Sequence, residues 1–178
     1  MNKLFFMFTL LFLSQSAVAD YAISAAEIMQ MPPFCRGLSI ANFQDDAKPL
    51  KQDIKAPGEH TQHFCHGIKA ILRKEYHTAT TEFDYVQSHS TSQHVLLPAT
   101  SLFKAEALGM QNKISEALEE YNKAIQLKPN YASAYLKFAN YYIKLNQKND
   151  AIKTIKLGLN YSPKSKSLQR KLQTLEKK

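Results

Sequence analysis

The chain has 178 residues, with 23 Lys and Arg against 15 Asp and Glu for a formal net charge of +8, and 44% of its residues are apolar. That length and apolar content carry one domain with a real core. Only five glycines are present, no phosphate-cradling loop or nucleophile elbow appears, and the carboxylates are scattered in the pattern of solvated helix faces, so no enzymatic constellation and no cofactor site are expected.

The first twenty residues read MNKLFFMFTLLFLSQSAVAD. Lys3 supplies a basic start, Leu4 to Leu13 an apolar run, and Ala17-Val18-Ala19 a small-residue cleavage signal, the pattern of a secretory signal peptide over residues 1 to 19, removed after Ala19. The run is too short to span a bilayer, which takes about 20 apolar residues, and no later segment could span one; a retained N-terminal anchor is the other reading. The expectation is a periplasmic or secreted protein of 159 residues. Its charge is uneven: residues 20 to 97 hold 7 basic and 9 acidic residues, and residues 98 to 178 hold 15 and 6. In an exported protein such a basic half meets acidic polypeptide, anionic lipid or polysaccharide rather than nucleic acid, unless its lysines serve only to hydrate helix surfaces.

Residues 20 to 59 form an N-terminal segment. YAISAAEIMQMPPFCRG begins at Tyr21 and predicts a short helix, with Ser24 and Glu27 as a capping box, that stops at Pro32-Pro33. QDDAKPLKQDIKAPGEH, from Gln44, is a polar connection. Cys35 lies in this segment, and the other cysteine, Cys65, lies in HTQHFCHG at His60 to Gly67. An even cysteine count and export together predict one disulfide, Cys35–Cys65, closing a 30-residue loop. His60, His63, His66 and Cys65 also form a candidate metal or thiol-redox set, although the usual zinc spacings are missing and the pattern of covalent haem attachment is incomplete. A cysteine nucleophile with a histidine base is a further, weaker reading of the same residues.

Residues 98 to 131 and 132 to 163 repeat one another with an offset of 34. Ala105 falls on Ala139, Leu108 on Tyr142, Asn112 on Asn146, Ala117 on Ala151, Tyr121 on Ile155, Ala124 on Gly158 and Pro129 on Pro163. This period, with small residues, aromatics and a closing proline in phase, resembles the tetratricopeptide repeat. The second copy fits through Tyr135, Phe138 and the residues just named, whereas Ser101 and Lys104 of the first stand where a large apolar residue is usual. The resemblance implies an all-α solenoid of antiparallel helix pairs. In it Ala139 and Ala151 face each other, Tyr135, Phe138, Tyr142 and Ile155 form the inner stripe, and Gly158 lets the first helix of the next unit approach. The same frame fits residues 60 to 97, where Gly67, Ala79, Phe83 and Val86 keep the spacing of Ala105, Ala117, Tyr121 and Ala124. They form a degenerate first repeat, with Pro98 opening the helix after it. In that frame His63 and His66 fall on large apolar positions and are expected to point inward as hydrogen-bonded core residues. Residues 164 to 178, with Leu168, Leu172 and Leu175 as a stripe, form a capping helix.

Together PPFC, HFCHG and Arg73 resemble a group of exported proteobacterial tetratricopeptide proteins. The repeat implies a docking surface: an adaptor or scaffold that binds a protein or peptide partner in the cell envelope, during assembly or secretion of envelope components. A metal-binding or thiol-redox protein centred on Cys65, and a cell-wall polysaccharide-associated factor using the basic half, are the competing functions. In the repeat frame Lys137, Asn140 and Lys144, with Arg170 and Lys171 on the capping helix, are expected to form the basic wall of a partner-binding groove. The set partly resembles the carboxylate clamp of chaperone-binding tetratricopeptide domains, with Leu136 standing where the first clamp lysine belongs.

Overall fold

A computed structural model describes residues 25–40 and 57–177. The expected signal peptide, Ser24 of the capping box and most of the polar connection lie outside the described residues. Within them the architecture is all-α. Two short helices, α1 (Ala25–Gln30) and α2 (Pro33–Ile40), precede three antiparallel hairpins: α3 (Thr61–Leu72) with α4 (Tyr76–His89), α5 (Leu97–Met110) with α6 (Ile114–Leu127), and α7 (Ala132–Lys144) with α8 (Lys148–Tyr161). The terminal α9 (Lys166–Glu176) packs on α8 and α7. The hairpins stack in chain order through α4 on α5 and α6 on α7, which is the helical-hairpin solenoid that the period predicts.

The hairpin turns share one geometry. Lys74, Asn112 and Asn146 sit at equivalent places with φ of 62°, 61° and 60°. The next residue of each turn, Glu75, Lys113 or Gln147, donates its backbone N–H to a carbonyl five residues back, at Ala70, Leu108 or Tyr142. This is the left-handed helix stop in which Asn is tolerated and Lys is strained. Pro33 opens α2 and Pro98 lies in the first turn of α5, where a missing N–H costs no helical hydrogen bond.

Packing follows the small and aromatic positions. Ala105, Ala117, Ala139 and Ala151 are all fully buried. Tyr121 of α6 stacks on Phe138 of α7 with ring centroids 5.0 Å apart, and Phe138 stacks on Tyr142 at 4.6 Å, so aromatic rings join the second and third hairpins. Tyr142 itself is only half-buried. At Gly158 a Cβ would lie 2.7 Å from the Tyr135 ring, so the glycine admits the aromatic of its own hairpin. Gly67 does the same for Phe83, at 2.5 Å. On α9, Leu168 and Leu175 are buried and Leu172 is partly so.

The two departures in the second hairpin compensate each other. Lys104 of α5 donates to Glu120 at 2.8 Å, Asp84 at 2.7 Å and Gln87 at 2.9 Å. The Gln87 amide in turn donates to Ser101 at 2.9 Å and to the second Glu120 oxygen at 2.8 Å. A polar knot therefore fills the contact between the first and second hairpins, where a large apolar pair would otherwise sit. Burial opposes the charge on both partners, but the hydrogen bonds outweigh it: Glu120 is held below its ordinary carboxylate value and Lys104 above its ordinary value.

Candidate functional site

The first helices of the three hairpins line one side of the stack, and α1 and α2 lie across its N-terminal end. Two ties hold this pair. Cys35 and Cys65 form a disulfide with Cα atoms 5.4 Å apart, both residues fully buried. Arg73, at the end of α3, donates to Glu27 of α1 at 2.6 Å. Between this pair and α7 lies an open cavity of about 830 Å³.

The cavity has two chemistries. On the side of α1, α3 and α5 it is mainly apolar, lined by Met29, Met31, Ile68, Ile71, Phe103 and Met110, with Arg36 of α2 and Glu106 of α5 as the charged residues there. On the side of α7 it is polar, lined by Lys137, Asn140, Tyr141 and Lys144. Lys137 is committed: its ammonium pairs with Glu106 and lies 5.3 Å from the Phe103 ring centroid. Asn140 and Lys144 are exposed, and neither side chain pairs with another described residue. Tyr141 lies against Gly109, where a Cβ would come within 2.6 Å of the ring, and its buried hydroxyl has no hydrogen-bond partner among the described residues. Burial raises the Tyr141 pKa, so the hydroxyl remains a proton donor.

Of the five expected groove residues, Lys137, Asn140 and Lys144 line the same cavity. Arg170 and Lys171 do not: α9 covers the far side of the third hairpin, where Arg170 is exposed and Lys171 half-buried. The apolar half went unread in the sequence. Its residues come from three separate elements, and the only signal that could have joined them was the disulfide, which fixes α1 and α2 beside α3.

HTQHFCHG resolves into two faces. Phe64, Cys65, Gly67 and Ile68 enter the core, whereas His63 and His66 are half-exposed with side chains 36% and 42% accessible. The inward placement expected for these histidines is therefore corrected. They do face the second helix of their hairpin, with His63 Nδ1 2.7 Å from Glu82 of α4. Among the described residues, however, no hairpin precedes this one, and none covers these histidines as Tyr121 of the preceding hairpin covers the equivalent Phe138. Burial lowers the His66 pKa, with Glu82 opposing. His63 stacks on Tyr85 at 3.7 Å, Tyr85 stacks on His89 at 3.9 Å, and His60 lies 5.6 Å from Tyr85, a polar aromatic edge at the end of the stack. The Cys65 sulfur is taken by the disulfide, so it is neither a free thiol nor a thiolate ligand. Among the described residues no group of three or more His, Cys, Asp and Glu is arranged to hold a metal ion, and no helix is long and apolar enough to cross a membrane.

Comparison with known proteins places this geometry. The family described as regulator of microtubule dynamics protein 1-3 matches residues 105–178. A protein STIP1 homolog of Dictyostelium discoideum is 32% identical over 103 residues, covering 58% of this chain and 18% of that protein. A DnaJ homolog subfamily C member 7 homolog from the same organism is 27% identical over 106 residues, covering 60% and 20%. The chain thus spans about a fifth of the length of these curated relatives. Among solved structures, the TPR2B domain of yeast Sti1 in its pHsp70 complex superposes with a TM-score of 0.56 at 19% identity, covering 65% of this chain and 91% of that one. At that identity the likeness shows the fold.

Proposed function

We propose that this chain, whose repeats are of the tetratricopeptide type, is an exported, non-enzymatic scaffold. It binds a polypeptide partner in the cell envelope, in the assembly or secretion of envelope components. The observation that carries the reading is the cavity along the first helices of the hairpins. It has apolar walls of the kind that bind a side chain, and beside them the exposed Asn140 and Lys144 pair with no other described residue. A side-chain amide can pair with a peptide backbone, and a lysine with a carboxylate. The Sti1 domain of the same fold is seen with pHsp70, which supports a polypeptide as the ligand class. The amino-terminal pattern of Lys3, the Leu4 to Leu13 run and Ala17-Val18-Ala19 supports export.

The test is capture of the partner by crosslinking in the native host, with Asn140→Ala and Lys144→Glu beside the unchanged chain. Each substitution is expected to reduce capture several-fold, and added salt to reduce it further, since exposed charges are screened beyond about 8 Å at physiological ionic strength. Both residues are exposed, so the melting temperature should stay within about 2 °C. Undiminished capture by both variants at low and high salt would place the partner elsewhere. Retention on isolated cell wall, with no protein captured, would favour the polysaccharide-associated alternative.

A further inference from the structure

The chain's five methionines are Met1, Met7, Met29, Met31 and Met110, and all three that lie beyond residue 19 line the cavity. Met29 is 70% exposed and Met110 is 53% exposed; they stand on α1 and α5, with Ile68, Ile71 and Phe103 on the wall between them. Methionine is unbranched and polarisable, and it adapts to apolar groups of irregular shape. A wall of this kind left in water costs free energy that an apolar occupant would recover. Among the described residues Glu106 of α5 is the only carboxylate lining the cavity, and it is already paired with Lys137 of α7, while Lys144 of α7 pairs with no described residue. The charge there suits an anion, and a cationic ligand would find no open partner.

We propose that the half of the cavity formed by α1, α3 and α5 is an anchor pocket for a bulky aliphatic or aromatic side chain of the bound polypeptide, and that this polypeptide carries Asp or Glu close to the anchor, met by Lys144 and Asn140. The proposal rests on the reading of the cavity as a polypeptide site and adds what that polypeptide must contain. The disulfide gives the pocket its fourth wall. Without α1 and α2 held against α3, Met29 and Met31 would not face Met110, and the first hairpin would present only a flat surface.

The test uses the full mature chain and three fluorescein-labelled peptides on a Gly-Ser background: one with Leu, Phe and Asp, one with Asp alone, and one with Leu and Phe alone. Anisotropy gives affinities, and carbon-13 methyl labelling of methionine reports contact at Met29, Met31 and Met110. The peptide with all three residues should bind at least about tenfold more tightly than either twin, the gain expected for burying part of one large apolar side chain beside a paired charge. It should also shift the three methyl resonances. Met29→Ser and Met110→Ser, both at exposed positions, should erase most of the gain over the Asp-only twin without changing that twin's own binding. Equal binding by the Asp-only twin would overturn the anchor pocket, and equal binding by the apolar twin would overturn its acidic partner. Absence of binding by any of the three, or binding that leaves all three methyl signals in place, would overturn both. If these results fail while the native partner is still captured in an Asn140-dependent way, the scaffold reading stands and the anchor alone falls.

Discussion

Lys104 occupies a position where repeats of this kind carry a large apolar side chain, and its ammonium is surrounded by Glu120, Asp84 and Gln87. Replacing it alone would leave Glu120, a residue only 9% exposed, without its cation and with the Gln87 amide still bound to it. Lys104→Met is therefore expected to cost about 2 to 3 kcal/mol at about pH 7. The Glu120 pKa is depressed in the fold, so its contribution is present above the ordinary carboxylate range and is lost as pH falls through the depressed value. In Lys104→Met the buried carboxylate keeps the Gln87 amide but loses its cation, so protonation relieves it and the gap between the two proteins should narrow towards about pH 3. Urea midpoints measured across that range check it, and a gap independent of pH would mean that packing volume alone decides the cost. Lys74 offers the opposite sign. It holds φ of 62° where the equivalent turns use Asn, and Lys74→Gly should stabilise the chain by about 1 kcal/mol, read as a higher denaturant midpoint with unchanged slope. Ser101 and Lys104 were legible in the sequence as departures from the repeat. Their remedy was not, because Gln87 and Asp84 come from the preceding hairpin and no local pattern pairs them with α5.

At the level of elements, the N-terminal pair α1 and α2 depends on its ties to α3. Closing a 30-residue loop contributes about 3 to 4 kcal/mol in the chain-entropy model. The stacked Tyr121 and Phe138 and the buried Ala139 and Ala151 belong to hairpins the disulfide does not touch. Cys35→Ser with Cys65→Ser should accordingly raise amide exchange in α1, α2 and α3 well before α7 and α8 respond. Uniform loss of protection along the chain would show that the hairpins are one cooperative unit with the N-terminal pair. Ala139→Leu should act at the other end, destabilising the last hairpin by about 1 to 3 kcal/mol through overpacking, seen as a lower thermal midpoint. The hairpins were legible because small residues, aromatics and prolines recur at a fixed period. The second helix of the N-terminal pair was not, since Pro32-Pro33 reads as a stop and Pro33 instead starts α2. The histidines were misread for a reason of scale: His63 and His66 do occupy the register of Tyr135 and Phe138, but burial at that register is supplied by a preceding hairpin, and among the described residues none precedes the first repeat.

For the whole molecule, the solenoid turns one face of three helices toward a shared cavity and the other faces toward solvent. Three of the five expected groove residues meet there because they share α7; Arg170 and Lys171 fall away because position within a repeat does not say on which side a terminal helix packs. What a partner would meet is thus a composite of α1, α3, α5 and α7, assembled by tertiary packing from residues more than a hundred positions apart in the chain. The central claim is that a polypeptide occupies this face, and the most direct measurement is site-specific photocrosslinking in the native host. A benzophenone side chain is placed in turn at Gln30, exposed on α1 and lining the cavity, and at Gln126, exposed on the second helix of the middle hairpin. The account predicts a discrete protein adduct from Gln30, reduced several-fold when Lys144→Glu is added, and none from Gln126. Adducts of equal yield from both positions, or from Gln126 alone, would contradict it.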